Sequence, residues 1–413
     1  MVTETLSLID EETPLPEGWR LVRLSEVCDV RDGTHDTPKY VPKGIPLVTS
    51  KNLKDGKIDF SNISYISNDD HESIKKRSLV EKGDVLYAMI GTIGNPVIVN
   101  IDIEFSIKNV ALFKFANSPI LPEFFYYLIQ SSFITEQVNA FSQGGIQQFV
   151  SLSFLRNLKI SLPPTIEEQR RIASVLDEQM KAVEQARLAV EEQLKAANLL
   201  PNAFLRVVFE SDEAQNWQKR KLGEIAKTCS GSTPSRSNPD YYKGSICWVK
   251  TGELKDGLIL ETEEHISELA LKESSVRLLP PETLLVAMYG QGQTRGRTGL
   301  LKKPATTNQA CFAILPNESF DSYFLQYWFR HNYQRLRQET EGRGGNQPNL
   351  NGDVLNNQIV SLPSEVKEQT KFVEKFKEQI QAAETLKKSL TEKLEAVKKL
   401  PAALLRKAFA GEI

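Results

Sequence analysis

The second half of this chain repeats the first half at an offset of about 200 residues, and each copy ends in a pattern typical of a long helix. Ser161-Leu162-Pro163 recurs as Ser361-Leu362-Pro363, and Leu200-Pro201 recurs as Leu400-Pro401. The offset is constant across the helical stretches and drifts by a few residues in the parts before them. Because the repeat occurs only twice, we expect a duplicated pair of domains rather than a solenoid.

The part before each helix has the pattern of a mixed domain. Short β-type runs occur at residues 45–48, 85–89, 97–99 and 111–115, with glycines at the turns between them. An amphipathic helix is predicted over about 122–141, with a counterpart near 322–337. The predicted fold is therefore α+β: two similar globular domains of mostly antiparallel strands with helices, separated by two long helices in an antiparallel coiled coil.

The strongest local prediction is the helix after each domain. Thr165-Ile166-Glu167-Glu168 has the form of a capping box, and no glycine or proline follows until Pro201. This stretch predicts a helix about 50 Å long at 1.5 Å per residue. The second helix is predicted from about Glu365 to Leu400. The domains are thus expected at 1–164 and 211–363, the central spacer helix at 165–210, and the distal spacer helix with the C-terminal tail at 364–413.

Alternating steps of four and three residues trace a hydrophobic seam along both helices. A glutamine interrupts this seam at the same place in each copy, either because it sets the register of the pair or because it lies at the seam edge. Antiparallel pairing is expected, since it brings large side chains of one helix opposite small ones of the other. The predicted seam residues are Ile172, Leu176, Gln179, Val183 and Val190, and Phe372, Phe376, Gln379, Leu386 and Leu390.

Composition narrows the class of protein. The formal net charge is −2, which argues against a basic coat over the whole surface but leaves room for a local basic face. No apolar run approaches the roughly 20 residues that span a bilayer, and the acidic, polar N-terminus does not resemble a secretory signal. The four cysteines are widely spaced along the chain, in a pattern that predicts neither a zinc site nor a disulfide framework. A reducing, cytoplasmic setting is therefore expected.

Motifs for catalysis are missing from the sequence. There is no phosphate-binding loop of the Gly-x-x-x-x-Gly-Lys-Ser/Thr type and no Asn-Pro-Pro-Tyr adenine-methyltransferase signature. The four histidines do not coincide between the repeats, which argues against a duplicated metal or acid–base site. We therefore expect a protein that is not itself an enzyme and that has no cofactor and no bound metal.

One loop of the second copy has side chains suited to reading DNA. Residues 283–317 contain no acidic side chain, and the glycine-rich core of this stretch carries Gln291, Gln293, Arg295 and Arg297. Arginine and glutamine can pair bidentately with guanine and adenine edges in the major groove. The alternative is a solvated, flexible loop with no DNA contact.

Further candidates for DNA contact lie in other polar loops, where a solvated surface patch is the competing interpretation. The first copy lacks arginine in the loop that matches 289–297, so its candidates lie elsewhere. The Gly-Gly segments at 144–145 and 344–345 occur in both copies, which favours a structural role for them. The remaining candidates are Arg31, Thr34, His35, Lys39, Lys75, Lys76, Arg77 and Thr92 in the first copy, and Ser232, Thr233, Arg236, Asn238 and Arg343 in the second.

Two segments together resemble a known family. The run from Leu162 to Ile172, Leu-Pro-Pro-Thr-Ile-Glu-Glu-Gln-Arg-Arg-Ile, and the closing run from Leu404 to Ile413 are similar to those of the specificity subunits of type I restriction–modification enzymes. The entry to the second helix departs modestly, because it has one proline fewer and lacks the Arg-Ile pair. The likeness extends over the whole chain, including the length and order of the repeat.

The resemblance implies a function and a set of partners. Each globular domain would read one half of a split, asymmetric site in double-stranded DNA, and the helices would fix the gap between the halves. The helices would also dock two methyltransferase (modification) subunits and, through them, ATP-dependent restriction subunits, which carry the chemistry. No base-contacting residue is transferable from the family. The alternative is a coiled-coil protein-interaction scaffold with two paralogous domains.

Overall fold

The computed structural model describes residues 15–142, 149–290, 292–339 and 350–413, apart from the side chain of Ser142. The chain divides into two compact units. The first unit contains residues 1–191 and 392–413, and the second contains residues 192–391. Each unit therefore combines one globular part with portions of both long helices.

The globular part of the first unit alternates short strands with short helices before the chain enters a long helix. The strands are β1 Arg20–Arg23, β2 Asp29–Asp32, β3 Ile45–Thr49, β4 Leu53–Lys54, β5 Lys57–Ile58, β6 Ser64–Ile66, β7 Val85–Ala88, β8 Gly94–Ile98, β9 Ser106–Lys108, β10 Val110–Lys114 and β11 Lys159–Leu162. The helices are α1 Leu24–Val27, α2 Asn68–Ser78, α3 Pro122–Leu128, α4 Ser132–Ser142, α5 Leu152–Asn157 and the long α6 Ile166–Phe209.

The central strands of the first unit are buried on both faces. An antiparallel sheet has the order β2–β10–β7–β8, and a smaller sheet, β6–β3–β9, contains the parallel pair β3–β9. Alternate residues of β7 enter two different cores: Val85 and Tyr87 pack with the helices, whereas Leu86 and Ala88 pack against Val48 of the small sheet. Burial on both faces explains why β7 and β10 are continuous hydrophobic runs in the sequence.

The second unit repeats this order of elements. Its helices are α7 Asp212–Gln215, α8 Leu222–Ile225, α9 Glu268–Glu273, α10 Ser322–His331, α11 Tyr333–Gln338, α12 Gly352–Asn356 and the long α13 Val366–Phe409. Its strands are β12 Gln218–Lys221, β13 Thr228–Ser230, β14 Ile246–Val249, β15 Gly257–Ile259, β16 Glu264–Ile266, β17 Leu284–Ala287, β18 Thr298–Leu301, β19 Thr306–Thr307, β20 Cys311–Ile314 and β21 Ile359–Leu362.

The sheets of the second unit match those of the first with one added strand. The larger sheet has the order β13–β20–β17–β18–β15, and the smaller has the order β16–β14–β19. The added strand, β15, pairs in parallel with β18. In both units the first and last strands of the globular part pair antiparallel, β1 with β11 and β12 with β21. The predicted α+β class with mostly antiparallel strands is confirmed.

Each predicted helix inside the globular parts is interrupted. The helix expected over 122–141 is divided into α3 and α4, and the helix expected near 322–337 is divided into α10 and α11. The backbone N–H of Ser131 donates to the carbonyl of Leu128, which tightens the chain at the first break. Neither break carries glycine or proline, so hydrophobic periodicity alone did not reveal it.

The two long helices pack antiparallel within each unit. In the first unit, Ile172 and Leu176 near the start of α6 share a core with Leu405 and Ala408 near the end of α13. In the second unit, Leu205 near the end of α6 shares a core with Val373 and Phe376 near the start of α13. The aromatic contacts repeat as well, with Phe409 5.6 Å from Phe124 and Phe209 5.3 Å from Phe324 between ring centroids.

The long helices do not end at their prolines, which corrects the sequence prediction. Pro201 and Pro401 lie inside α6 and α13, and both helices continue to phenylalanines at 209 and 409. An internal proline removes a helical hydrogen bond and costs about 3 kcal/mol. Burial of Leu205 and Leu405 in the two cores offsets that cost, because those side chains are placed by the helical turns after the proline.

Two distant segments of the chain meet in the first unit. A side chain at Gly411, which has a φ of 75°, would place its Cβ 2.8 Å from Cβ of Pro16. Arg171 in α6 donates to the carbonyl oxygen of Ile413 at 2.6 Å. The segment after α13 is therefore held between α6 and the chain that leads into β1.

Candidate nucleic-acid interface

A buried carboxylate organises the candidate residues of the first unit. Asp32 ends β2 and is 2% exposed, and its oxygens accept hydrogen bonds from His35 Nε2, at 2.8 Å, and from Arg77 at the end of α2. His35 and Arg77 remain largely exposed themselves. Asp32 thus holds two polar side chains in fixed positions at the surface of the protein. From there they could contact the nucleobases or the phosphates of DNA.

Arg31 joins the same cluster from the middle of β2. Its guanidinium forms an ion pair with Asp29 at 2.7 Å and donates to the carbonyl of Arg77 at 3.2 Å. In the sequence, Arg77 belongs to a basic run well apart from Arg31 and His35, and the structure brings the three together. Thr34 and Lys39 lie in the loop after β2, where Thr34 is half-buried and Lys39 is exposed.

The other candidates of the first unit lie apart from this cluster. Lys75 is paired with Glu104 at 2.6 Å and Glu72 at 3.4 Å, while Lys76 is exposed. Thr92 lies in the turn after β7 and lines a cleft of about 590 Å³ with Tyr87 and Tyr126. The run at 75–77 therefore contributes only Arg77 to the cluster around Asp32.

In the second unit, an arginine stacks on two aromatic rings. The guanidinium of Arg236 lies 4.2 Å from the ring centroid of Tyr242 and 5.1 Å from that of Trp248, and it pairs with Glu264 at 2.6 Å. Lys250 adds a second cation, 3.1 Å from Glu264. The hydrogen bond from Arg236 lowers the pKa of the Glu264 carboxyl, which keeps it charged.

The polar loop around Arg236 is partly committed to internal contacts. The carbonyl of Ser232 accepts from Trp248 Nε1 at 3.1 Å, and the side chain of Thr233 bonds Gln309. Asn238 accepts from the backbone N–H of Asp240 at 3.1 Å, so its amide oxygen shapes the turn. Of these candidates, Arg236 is the one whose charge faces the surface on an aromatic support.

The prediction for Arg295 is wrong. Its side chain is buried, with 4% exposure, and Nη2 lies 3.4 Å from the carbonyl of Arg337, while Arg337 donates back to the carbonyl of Arg295 at 3.1 Å. A guanidinium in this position holds α11 to the loop and is shielded from the surface. Its burial was not visible in the sequence, because the loop composition suggested a solvated segment.

Arg297 occupies an intermediate position. Its guanidinium pairs with Asp256, lies 4.9 Å from the ring centroid of Tyr333 and donates to the exposed Gln293 at 3.2 Å. About a third of its side chain is exposed. Gln291 and Arg343, which were also predicted to contact DNA, lie outside the described residues.

The buried face of the long helices differs in phase from the predicted seam. Leu386 is 45% exposed, so its assignment to the seam is wrong, whereas Ile172, Leu176, Val190, Phe376 and Leu390 are buried and Val183 and Phe372 are half-buried. The positions that face inward on α6 are 173, 176, 180, 183, 190, 194 and 197, and those on α13 are 373, 376, 380, 383, 390, 394 and 397. From 173 and 373 they follow steps of three and then four residues, whereas the predicted seam follows steps of four and then three. This phase turns Met180, Leu194, Ile380 and Leu394 inward, so it buries more apolar surface.

The two seam glutamines lie beside this buried face. Gln179 and Gln379 are both half-buried, one position before Met180 and Ile380. The side-chain oxygen of Gln179 is shielded from water and accepts no hydrogen bond from the described residues. A role for these glutamines in setting the register stays a prediction.

Apolar side chains also point away from the buried face of the long helices. Leu188, Leu199, Val207 and Leu400 are between 43% and 73% exposed. These side chains are open to contact with a partner, although only a contiguous patch of them would by itself mark an interface.

Sequence reasoning missed several residues of these clusters. Asp32, Tyr242, Trp248 and Glu264 hold the exposed cations in place, yet none belongs to a recognisable motif. A basic loop residue with an aromatic residue or acid on a neighbouring strand was the available signal. It became readable only after strand pairing had placed β14 beside β16.

The groups that could perform chemistry are few among the described residues. Burial raises the pKa of the Cys28 thiol to about 12, so it is not a thiolate nucleophile at neutral pH. Two sets of side chains have the spacing of metal ligands: His71, Glu72 and Glu104, and Cys247, Glu261 and His265. Within the described parts of the chain, no helix is long and apolar enough to cross a membrane.

The chain matches one family model twice. The type I restriction modification DNA specificity domain matches residues 16–194 and residues 214–396, which together make up most of the chain. Each match covers one globular part and the first part of the long helix that follows it. The repeat in the sequence is therefore a repeat of this domain.

Curated relatives agree over the full length. The type I restriction enzyme MjaIX specificity subunit of Methanocaldococcus jannaschii is 23% identical, over 97% of this chain and 94% of that protein. The EcoKI specificity subunit of Escherichia coli K12 is 21% identical, over 97% of this chain and 90% of that protein.

Solved structures share the fold. The HsdS subunit from Thermoanaerobacter tengcongensis superposes with a TM-score of 0.69 at 23% identity, covering 98% of this chain and 99% of that one. A chain from a study of complex assembly and conformational transition in the type I R-M system gives a TM-score of 0.71 at 23% identity, covering 97% of this chain and all of that one. Since both copies of the specificity domain are present, the chain belongs to the family of type I restriction–modification DNA specificity proteins.

Proposed function

We propose that this chain is the DNA sequence-specificity subunit of a type I restriction–modification complex, that it recognises a bipartite asymmetric target, and that it is not itself catalytic. The observation that carries the proposal is that the two units have a similar fold but different clusters of polar residues at their surfaces. Both units share the order of their central strands and equivalent helix contacts, whereas His35 and Arg77 on Asp32 have no counterpart in the cluster of Arg236 on Tyr242 and Trp248. Equal frames with different reading side chains suit a target whose two halves differ in sequence.

The charges of the clusters favour sequence-specific contacts with DNA bases over non-specific attraction to DNA. Each exposed arginine of the clusters has an acidic partner: Arg31 has Asp29, Arg77 has Asp32 and Arg236 has Glu264. Such pairs hold the guanidinium in one orientation, and a carboxylate beside it can accept from the amino group of cytosine. With a formal net charge of −2, we expect weak non-specific binding to DNA by the chain alone.

The long helices are proposed to serve as spacer and docking surface. Their exposed aliphatic residues, such as Leu188 and Leu199, are available to modification subunits, and the restriction subunits would join through that complex. The methyl transfer and the cleavage would belong to those partners. This assignment is supported by the similarity of the chain to specificity subunits of type I restriction enzymes. That two modification subunits bind is part of the same proposal.

The decisive experiment maps methylated adenines in cells that express this chain with its modification subunit. A two-part asymmetric motif with a fixed gap is expected. Arg77→Ala and Arg236→Ala should each relax bases in a different half of the motif, by roughly 1–3 kcal/mol at a contacted base. Arg220→Ala is the matched control, because Arg220 is an exposed arginine of the second unit with its own acidic partner, Glu224.

The methylation maps and the two variants each offer a result that would contradict the proposal. The first is a continuous motif without a gap, or no methylation although the complex with the modification subunit forms. The second is relaxation of the same half of the motif by both Arg77→Ala and Arg236→Ala, since the two side chains lie in different units.

A further inference from the structure

Strand pairing in the second unit brings a cysteine and a histidine together. Strands β14 and β16 are antiparallel neighbours, and Cys247 lies directly opposite His265. Directly opposed residues point to the same face of a sheet, with Cβ atoms about 5 Å apart. Glu261, from the loop between β15 and β16, completes the group. The widely spaced cysteines gave no sign of this arrangement in the sequence.

The three side chains already have the spacing of ligands around one ion. Cys247 Sγ lies 3.3 Å from Glu261 Oε1, His265 Nε2 lies 2.9 Å from the same oxygen, and the three atoms lie within 4.8 Å of one another. A tetrahedral zinc ion with bonds of about 2.3 Å to sulfur and about 2.0 Å to nitrogen and oxygen separates its ligand atoms by about 3.3–3.6 Å. The two distances to Glu261 Oε1 therefore need to change by only a few tenths of an ångström to admit the ion, while Cys247 Sγ and His265 Nε2, which lie within 4.8 Å of each other, would close on it.

The surroundings hold two of the three side chains in place. Cys247 is 3% exposed and packs in the apolar cluster of Val249, Leu254 and Ile259. The second oxygen of Glu261 accepts from Lys303 Nζ at 2.5 Å, which orients the carboxylate while leaving Oε1 to face Cys247 and His265. Partners of this kind, outside the ligands themselves, fix ligand orientation in metal sites and strengthen binding.

We propose that Cys247, Glu261 and His265 form a binding site for one zinc ion in the second unit. The ion replaces the proton of the Cys247 thiol, which leaves to solvent, and it takes the place of the hydrogen bonds that now join the three side chains. The fourth coordination position faces the open side of the site and is filled by water, since the Glu261 side chain is 65% exposed. The bound ion ties the loop before β16 to both strands of the pair.

The second set of possible ligands does not support a site in the same way. His71, Glu72 and Glu104 offer no sulfur, and the ammonium group of Lys75 already lies 2.6 Å from Glu104 and 3.4 Å from Glu72. A cation thus already occupies that position. In the Cys247 site, the ammonium of Lys303 lies on the outer oxygen of Glu261 and also interacts with the Cys247 thiol. Zinc would replace that contact at the sulfur, whereas the hydrogen bonds of Oε1 of Glu261 go to Cys247 and His265.

Cobalt(II) titration of the purified full-length chain tests the proposal. The expected result is saturation at one equivalent, with the near-ultraviolet charge-transfer band of a cobalt–thiolate bond, reversed by zinc. Cys247→Ser should abolish the band, and Glu261→Gln and His265→Gln should each weaken cobalt binding about tenfold or more. Cys229→Ser is the matched control and should leave both unchanged, because Cys229 is a partly buried cysteine of the same unit outside the group.

A thermal melt keeps the test decisive if Cys247→Ser fails to fold. Zinc should raise the Tm of the parent chain and of Cys229→Ser, and it should raise that of Glu261→Gln by less. The changed side chain at position 261 is largely exposed, so the fold of this variant should survive. The proposal is overturned if the parent chain shows no saturable thiolate band, if Cys247→Ser retains it, or if zinc raises the Tm of Glu261→Gln as much as that of the parent.

Discussion

The side-chain oxygen of Gln169 accepts a hydrogen bond from the backbone N–H of Leu121 at 2.9 Å, across 48 residues of sequence. Its amide nitrogen donates to the carbonyl of Pro119 at 2.8 Å. The repeat preserves the first contact, since Gln369 accepts from the N–H of Asp321 at 2.9 Å. One buried glutamine therefore joins each long helix to the globular part before it.

Replacing either glutamine should destabilise one unit and leave the other intact. Gln169→Ala and Gln369→Ala each leave a buried backbone donor without an acceptor, which costs about 1–3 kcal/mol. Hydrogen exchange should accelerate at Leu121 in the first variant and at Asp321 in the second. Gln185→Ala and Gln381→Ala, at exposed positions of the same helices, are the controls. Equal protection in variant and parent would contradict this role.

Substitutions at Arg295 and at Arg297 should have different effects, the first on the stability of the second unit and the second on DNA recognition. Arg295→Ala should lower the Tm of the second unit, because it removes a buried side chain that holds the loop to α11. Arg297→Ala should leave most of the stability intact and relax the half-site bound by the second unit. Melting curves and methylation maps of both variants provide the measurement. An unchanged Tm for Arg295→Ala, together with loss of one base preference, would reverse the two assignments.

Lengthening both long helices equally should widen the gap in the DNA target. Seven residues added after Val190 and seven after Leu390 preserve the heptad phase and add about 10 Å to each helix. That length corresponds to about three base pairs at 3.4 Å each. Methylation mapping should show unchanged half-sites with a wider gap. Altered half-sites with the original gap would contradict a spacer role for the helices.

The stability of the second unit should depend on pH through His331. Burial is the main cause that lowers the pKa of this imidazole below its ordinary value of 6.5, and the ring stacks on Phe209 at 5.3 Å. The unfolded chain then binds a proton more readily than the folded one, so stability is complete above pH 6.5 and declines as the pH falls through the folded pKa. Urea unfolding at pH 7.5 and 5.5 should show this decline for the parent and a smaller one for His331→Gln. An equal decline in both proteins would assign the effect to other groups.

The repeat and the long helices were predictable because they rest on patterns within the sequence. Identical residues at a fixed offset reveal a duplication, and a long stretch without glycine or proline predicts a long helix. The capping box at Thr165 predicts where that helix begins, and the Thr165 hydroxyl does accept a hydrogen bond from the backbone N–H of Glu168 at 3.2 Å. The seam phase was wrong because two apolar stripes lie one residue apart. Only the packing partner decides whether Gln179 or Met180 turns inward.

The candidate site was less predictable because its geometry depends on contacts between distant segments. Arg77 reaches Asp32 across 45 residues and so joins His35 there, and Arg236 meets Trp248 on a strand beyond the next turn. Composition marks a residue as basic, but it does not distinguish a buried arginine such as Arg295 from an exposed one. Predicting which exposed residues form the clusters therefore requires the strand order as well as the residue types.

The division into units has a consequence for the order in which the chain is made. The second unit is one continuous segment, residues 192–391, whereas the first needs residues 392–413 to complete its core. Leu405 and Ala408 can enter that core only after the segment that forms the second unit has been translated. The first unit thus depends on a segment that is translated after the whole of the second, and loss of residues 392–413 would impair the first unit although the second contains none of them.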